Sequence, residues 1–176
     1  PPDVAERKRY VTSGCGKGVT FASVGHARGL AQVESDLRVG STLLYELMGQ
    51  LARAAVAYRD TGGIHSCGLG TGTRLAIVRE DVGRHNALDK LFGRAWLDRV
   101  DTRHAMLLTT GRISYEMTVK AAKAQTPIVV SRTAVTDLAA DVAERVGITL
   151  VGYARGGKLV VYTHPQRITT AEEAGS

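Results

Sequence analysis

Short apolar segments that alternate with amphipathic segments of roughly ten residues constrain this sequence more than any other feature. The runs 105–108 (AMLL) and 127–130 (PIVV) are typical of buried strands. Each run is followed by a segment with helical spacing of its apolar residues, at 115–124 and at 138–146, and Gly147 marks the end of the second segment. Strands that alternate with helices predict right-handed crossover connections and parallel strand pairing.

Two hairpins are predicted on either side of this alternating region. Segments 64–69 and 74–79 have strand character and are joined by Gly70-Thr71-Gly72, a sequence typical of tight turns. Segments 148–153 and 159–162 flank a second glycine-containing turn. We therefore expect an α/β fold with one mixed, mostly parallel sheet that is flanked by helices and has an antiparallel hairpin at an edge.

The predicted organisation is a single domain with short extensions. Two more helices are expected at 43–56 and at 88–96, and the apolar positions of the second include the single tryptophan. We assign 1–18 to a flexible N-terminal segment that carries a cysteine loop, 19–165 to the α/β domain, and 166–176 to a C-terminal tail.

The composition and charge of the chain indicate where the protein works and which classes of partner it binds. The chain has 176 residues, of which 44% are hydrophobic and 23% are charged, and it has no apolar run long enough to cross a bilayer and no signal peptide pattern. We expect a cytoplasmic protein without a membrane partner. The net charge of +6 predicts attraction to anions. Aromatic residues make up only 5% of the chain and do not alternate with basic residues, so no nucleic-acid partner is expected.

Cys15 is the candidate nucleophile. It lies in a glycine-rich loop, Thr12-Ser13-Gly14-Cys15-Gly16-Lys17-Gly18, with a lysine two residues away. A nearby cation and exposed backbone amides lower the pKa of a thiol and favour the reactive thiolate. The alternative is a cysteine that packs as a small apolar residue. The polar flanks of Cys15 favour the reactive interpretation.

Three polar segments follow predicted strands and are candidates for anion binding. They are 80–86 (EDVGRHN), 109–112 (TTGR) and 131–133 (SRT). In open α/β sheets ligands bind at the carboxyl ends of the strands, where helix N-termini offer free amides. Each segment adds an arginine, which holds phosphate oxygens through charge-assisted hydrogen bonds. The candidate ligands in these segments are Arg84, Arg112, Ser131 and Arg132.

Three residues are candidate ligands of a metal ion. His65 and Cys67 are two residues apart and His85 lies downstream, but a zinc deaminase would have a glutamate at the second of these positions and a later Cys-x-x-Cys. We expect no bound metal. His65, His85 and Cys67 are instead interpreted as proton-handling or supporting residues in the cleft. A zinc hydrolase is kept as a distant alternative.

Several motifs, taken in order, resemble those of one protein family. The sequence is similar to that of the FdhD family of formate dehydrogenase accessory proteins, from about Thr12 to Pro165. The matching motifs are 61–66 (TGGIHS), 79–90 (REDVGRHNALDK), 111–117 (GRISYEM) and 152–155 (GYAR).

The resemblance implies a function and a set of partners. Family members are similar in fold to cytidine deaminases. They accept sulfur from a cysteine desulfurase as a persulfide and pass it to molybdenum or tungsten in the bis(molybdopterin guanine dinucleotide) cofactor of the formate dehydrogenase catalytic subunit. By resemblance Cys15 carries the persulfide, a GDP-like guanine nucleotide can occupy the cofactor site, and the protein is a homodimer. The matching cofactor-binding stretch is Tyr153, Ala154, Arg155, Gly156, Gly157 and Lys158.

Two departures from the family pattern leave alternatives open. The family loop reads Cys-x-x-Cys, whereas this chain has Gly18 at the second position, so Cys15 acts alone or Cys67 substitutes for the missing thiol. Family members also carry a sizeable region before this loop, and part of it is expected to be missing here. The alternative function is a chaperone that binds the cofactor and has lost sulfur transfer.

Overall fold

A six-stranded mixed sheet with helices on both faces forms the body of the protein. The computed structural model describes residues 10–11, 19–20 and 29–169. The α-helices are α1 (Ser41–Ala54), α2 (Val56–Thr61), α3 (Arg84–Leu97), α4 (Tyr115–Lys123) and α5 (Asp137–Val146). The strands are β1 (Tyr10–Val11), β2 (Val19–Thr20), β3 (Val39–Gly40), β4 (His65–Thr71), β5 (Arg74–Asp81), β6 (Ala105–Thr109), β7 (Ile128–Ser131), β8 (Thr149–Arg155), β9 (Lys158–Val161) and β10 (Ile168–Thr169).

The order of strands in the main sheet is β5-β4-β6-β7-β8-β9. The pairs β6–β7 and β7–β8 are parallel, and β4–β5, β4–β6 and β8–β9 are antiparallel. The predicted mixed α/β sheet and the edge hairpin are therefore confirmed. The parallel share is smaller than predicted because the first hairpin also joins the sheet, with β4 inserted antiparallel beside β6.

Alternate residues of the central strands pack against opposite helical layers. Leu107 of β6 and Val129 of β7 belong to the cluster formed with α3, α4 and α5. Met106 and Leu108 belong to the cluster formed with α1 on the other face. This alternation is the two-residue period of a strand that is buried on both faces. The α1 side chains that cover the sheet are Leu44, Leu47, Met48 and Leu51.

The helix predicted at 43–56 ends earlier than expected and is followed by a second one. Helix α1 ends at Ala54, and Ala55 has a non-helical ψ of 76°. The carboxylate of Glu80 accepts the backbone N–H groups of Ala57 and Tyr58 at 3.0 and 2.8 Å. A carboxylate at this position satisfies amides that have no partner inside the helix, so it stabilises the start of α2.

The fold extends beyond the predicted boundary at residue 165. Strand β10 pairs in parallel with β3, which places residues up to Thr169 inside the fold rather than in a tail. The guanidinium of Arg167 is buried and donates to the carbonyl oxygen of Gly147 at 2.7 Å and to that of Ser35 at 3.3 Å. These bonds tie the segment before α1 to the end of α5.

Helix α3 presents an apolar surface that the sequence pattern assigned to the core. Trp96 is 81% exposed and Leu97 is 67% exposed. Leu88 and Leu91 of the same helix are fully buried. The stripe toward the sheet therefore ends before Trp96, which lies in the last turn of α3 and faces away from the core.

The segment with Cys15 lies outside the described residues. Strands β1 and β2 on either side of it pair antiparallel, with Val11 opposite Val19. No helix within the described ranges combines the length and the apolar character needed to cross a membrane.

Candidate functional site

The candidate site lies at the edge of the sheet where the parallel strands β6, β7 and β8 end, which we call the carboxyl edge. Strand β4 runs in the opposite direction, and Cys67 pairs with Thr109 near the end of β6. His65, at the start of β4, therefore lies at the same edge as the residues that follow β6. The structure thus brings together segments that are far apart in the sequence, as expected for a ligand cleft in an α/β fold.

Gly111 is the point at which His65 and Arg84 meet. A Cβ atom at Gly111 would lie 3.1 Å from Cβ of Arg84 and 3.2 Å from Nδ1 of His65. Glycine allows this close approach because it has no side chain. Burial and the neighbouring Arg84 charge lower the pKa of His65. His65 is therefore neutral at neutral pH.

Two buried polar atoms at this point have no hydrogen-bond partner among the described residues. They are Nδ1 of His65 and Nε of Arg84. In the described part of the chain the only other such side-chain atom is Oγ1 of Thr126. An unpaired buried polar group costs free energy, about 1 to 3 kcal/mol for each group. Two of them on residues that both lie against Gly111 are typical of a site that a polar ligand completes.

Asp81 fixes the loop that carries Arg84 and His85. Its carboxylate accepts the backbone N–H of Gly83 at 2.9 Å and forms an ion pair with Nζ of Lys90 at 2.5 Å. The hydrogen bonds from Lys90 and Gly83 lower the pKa of Asp81 to about 2. Asp81 therefore stays charged in weak acid and orients the first turn of α3.

Glu80, in the same motif, also acts on the fold. Besides the two amides of α2, it accepts the hydroxyl of Ser66 at 2.9 Å. Burial raises the pKa of Glu80, but the hydrogen bonds from Tyr58, Ala57 and Ser66 together outweigh this effect, and the net pKa is lowered. Glu80 and Asp81 thus stabilise the structure around Arg84 and His85 of the same motif.

We expect Glu80→Gln to destabilise the protein by about 1 to 2 kcal/mol at neutral pH, because an amide is a poorer cap than a carboxylate. The folded-state pKa of Glu80 is below its ordinary value of 4.5. Its stabilisation is therefore complete above that value and is lost as the pH falls through the folded-state pKa. Urea unfolding followed by circular dichroism should show the difference between wild type and variant shrinking in acid.

Glu144→Gln is the matched control for this prediction. Its side chain is 64% exposed, and the ion pair that the described residues give it is with His164 at 3.8 Å. It should change the free energy of unfolding by less than about 0.5 kcal/mol. A Glu80→Gln difference that did not depend on pH would contradict the role assigned to the carboxylate.

His85 begins a chain of hydrogen bonds between α3 and α4. Its Nε2 lies 3.3 Å from Oγ of Ser114, and this hydroxyl donates to Oε2 of Glu116 at 2.8 Å. Burial, followed by the charge of Arg84, lowers the pKa of His85. Ser114 and Glu116 both lie in the motif 111–117, but the sequence pattern predicts a site role for neither. A serine before a helix is ordinarily interpreted as a cap.

Ser131 does not present its side chain to the cleft, contrary to the prediction. It is fully buried, its hydroxyl donates to the carbonyl oxygen of Gly111 at 2.7 Å, and it accepts the N–H of Thr133 at 2.9 Å. The hydroxyl is thus used within the protein. Ser131 connects the loops after β6 and β7 and holds Gly111 in position.

Arg112 and Arg132 are the exposed cations of the carboxyl edge. Both side chains are exposed, and no carboxylate in the described ranges lies within salt-bridge distance of either, or of Arg84. The backbone N–H of Arg132 donates to Thr109 at 3.0 Å, which anchors its loop beside β6. The edge therefore carries positive charge that the described protein residues do not neutralise.

The predicted cofactor-binding stretch 153–158 divides into three parts. Tyr153 has a left-handed φ of 53°, is 39% exposed, and donates its N–H to Thr133 at 2.9 Å, which places it at the carboxyl edge. Ala154 is buried in the core on the α1 side, so its side chain is not available to a ligand. Arg155 and Lys158 are exposed beside the turn at Gly156 and Gly157, whose φ values are 59° and 73°.

Cys67 is neither a second reactive thiol nor a proton-handling group. It is fully buried, and its Sγ lies 3.5 Å from Oγ1 of Thr109. Burial raises the pKa of Cys67 to about 12, which disfavours the thiolate. The prediction that it supports the cleft chemistry is wrong, and it packs as part of the core. Within the described ranges no three His, Cys, Asp or Glu side chains are grouped to hold a metal ion.

Fold and site together define an α/β domain with arginine and histidine side chains gathered at the carboxyl edge of its sheet. The family model for FdhD/NarQ matches residues 2–169, and the chain belongs to the FdhD/NarQ family.

Individual relatives agree with this assignment. The chain is 38% identical to the sulfur carrier protein FdhD of Bacillus subtilis over 92% of this chain and 62% of that protein. It is 40% identical to the sulfur carrier protein FdhD of Bacillus pumilus, with the same shares covered. A crystal structure of a formate dehydrogenase accessory protein from Desulfotalea psychrophila matches with a TM-score of 0.76 and 32% identity, over 84% of this chain and 63% of that one. The chain spans less than two thirds of the length of these relatives.

Proposed function

We propose that this chain is a sulfur carrier in the maturation of formate dehydrogenase. In this proposal Cys15 accepts sulfur from a cysteine desulfurase as a persulfide. The sulfur then passes to molybdenum or tungsten in the bis(molybdopterin guanine dinucleotide) cofactor, which is the bound substrate. Relatives named as sulfur carrier proteins, and one named as a formate dehydrogenase accessory protein, support this function.

The observation that carries the proposal is the set of unpaired donors at the carboxyl edge. Nε of Arg84 is buried without a partner among the described residues, and Arg112 and Arg132 are exposed at the same edge of the sheet. Guanidinium groups bind phosphate oxygens through short charge-assisted hydrogen bonds. A bis(guanine dinucleotide) carries two pyrophosphates, so this donor set suits the cofactor and also suits GDP. Tyr153 and the Arg155–Lys158 turn border the same edge.

A single cysteine is sufficient for the transfer that we propose. The chain has two cysteines, and the buried Cys67 does not form a thiolate readily. Cys15 would therefore hold the persulfide without a resolving thiol, and the sulfur would leave by attack from outside the protein. The homodimer implied by the family resemblance and the cytoplasmic location expected from the composition stay predictions.

The loss of the second loop cysteine also favours a second candidate function. A protein with Gly18 at that position, and with Cys67 buried, could bind the cofactor and deliver it without carrying sulfur. The two functions differ in one observable property, which is the presence of a sulfur adduct on Cys15.

Intact-protein mass spectrometry tests the carrier function directly. After incubation with a cysteine desulfurase and cysteine, wild type and Cys67→Ala should each gain one sulfur atom that a reducing thiol removes. Cys15→Ala should gain none. Equal labelling of Cys15→Ala would contradict the carrier function, and unlabelled wild type that still binds GDP would favour the chaperone.

A further inference from the structure

The hydrogen-bond chain from His85 to Glu116 determines which imidazole nitrogen carries the proton. A hydroxyl has one proton to donate, and that of Ser114 is donated to Oε2 of Glu116 at 2.8 Å, because an ionised carboxylate only accepts. Toward His85 the same oxygen can therefore only accept. Nε2 of His85, at 3.3 Å, must supply the proton. In the neutral imidazole this leaves Nδ1 with a free lone pair.

The position of the Ser114 hydroxyl is not explained by the stability of α4. Ser114 is the N-cap residue of this helix, yet its side chain makes no capping hydrogen bond. A serine at this position ordinarily accepts a backbone N–H from the first turn. Here the hydroxyl lies between an imidazole and a carboxylate instead. The arrangement therefore gives up a local stabilisation and makes a contact to His85.

The charges around His85 keep it neutral. Burial and Arg84 lower its pKa, Glu116 and Asp89 raise it, and Lys120 lowers it. Lys120 lies 2.6 Å from the carboxylate of Asp89, so these two opposite charges are paired. The net shift is downward. At neutral pH the residue is thus an unprotonated base.

We propose that Ser114 and Glu116 are positioning residues that hold His85 as its Nε2–H tautomer, which leaves Nδ1 as the unprotonated, proton-accepting nitrogen. The described residues give the His85 ring one hydrogen bond, from Nε2 to Ser114, so Nδ1 has no partner among them. Ser114 and Glu116 are thereby added to the site.

Nuclear magnetic resonance of the full chain with isotopically labelled histidine tests the tautomer. The chain has five histidines, and the signals of His85 are assigned by their loss in His85→Gln. We expect wild type to show a protonated Nε2 and an unprotonated Nδ1. In Ser114→Ala and in Glu116→Gln the tautomers should mix, because the acceptor for Nε2–H is lost or its orientation is no longer fixed. The pKa of His85 should also fall in Glu116→Gln, since a carboxylate that raises it is removed.

Matched variants separate positioning from folding. Glu144→Gln makes the same chemical change on an exposed part of α5 and should leave the His85 signals unchanged. Glu116→Asp should restore part of the tautomer preference, and circular dichroism should show that Ser114→Ala is folded. An Nδ1–H tautomer in wild type, or identical His85 signals in all variants, would overturn the inference.

Discussion

Replacing Arg84 with methionine will weaken the binding of GDP about 10- to 100-fold and leave the fold at least as stable as that of the wild type. The guanidinium Nε is buried without a partner among the described residues, and no described carboxylate forms an ion pair with the side chain. In the unliganded protein this group costs free energy. Methionine reaches about as far as Nε and needs no hydrogen bond. The substitution therefore removes the free-energy cost of the unpaired Nε and also the guanidinium that would bind phosphate.

Calorimetric titration with GDP and urea unfolding measure the two effects in the same samples. Arg103→Met is the matched control, because its guanidinium is exposed and pairs with Asp101 at 3.0 Å. It removes the same charge from the protein without changing the carboxyl edge. If Arg84→Met were strongly destabilised, or if it bound GDP as tightly as Arg103→Met, Arg84 would be a structural residue and not a ligand of the cleft.

Gly147→Ala is expected to destabilise the protein by about 3 to 5 kcal/mol. Gly147 caps α5 with a φ of 79°, which an L side chain rarely adopts. A Cβ atom there would also lie 2.9 Å from the carbonyl oxygen of Val33. Because that neighbour is backbone, it cannot rotate away. The clash would strain the 2.8 Å hydrogen bond from Val33 to Val146 and the bond from Arg167 to Gly147.

Gly93→Ala is expected to have the opposite effect and to stabilise the protein. Gly93 lies inside α3, and a Cβ atom there would meet nothing within 4 Å. Alanine has the higher helix propensity, so this variant should gain about 0.5 to 1 kcal/mol. Chemical unfolding followed by circular dichroism compares both variants with wild type. Equal effects of the two substitutions would show that packing against Val33 does not matter.

The helices and hairpins were predicted well because their boundaries depend on residues that are close in the sequence. The end of α5 at Gly147 and the two hairpins follow from residues within one turn of the structure. The neighbour of a hairpin in the sheet is a long-range property. The pairing of β4 with β6 joins Cys67 to Thr109, which are 42 residues apart, and no local signal encodes it. The sequence pattern therefore overestimated the parallel share of the sheet.

The sequence predicted which residues lie at the carboxyl edge, but not what each side chain does there. Arg84, Arg112 and Arg132 follow strand ends, and the fold brings those ends to one edge. Ser131 has the same sequence context, but its hydroxyl is used by the backbone of neighbouring loops. Such a partner lies 20 residues away and leaves no local signal. The same is true of the contact between Ser114 and His85.

The exposed Trp96 determines how this protein can be observed. It is the single tryptophan of the chain and is 81% exposed in the folded state. Its fluorescence should therefore resemble that of the unfolded chain and report poorly on unfolding. The same property makes it a sensitive reporter of assembly, because any molecule that covers the end of α3 would shift the emission to shorter wavelengths.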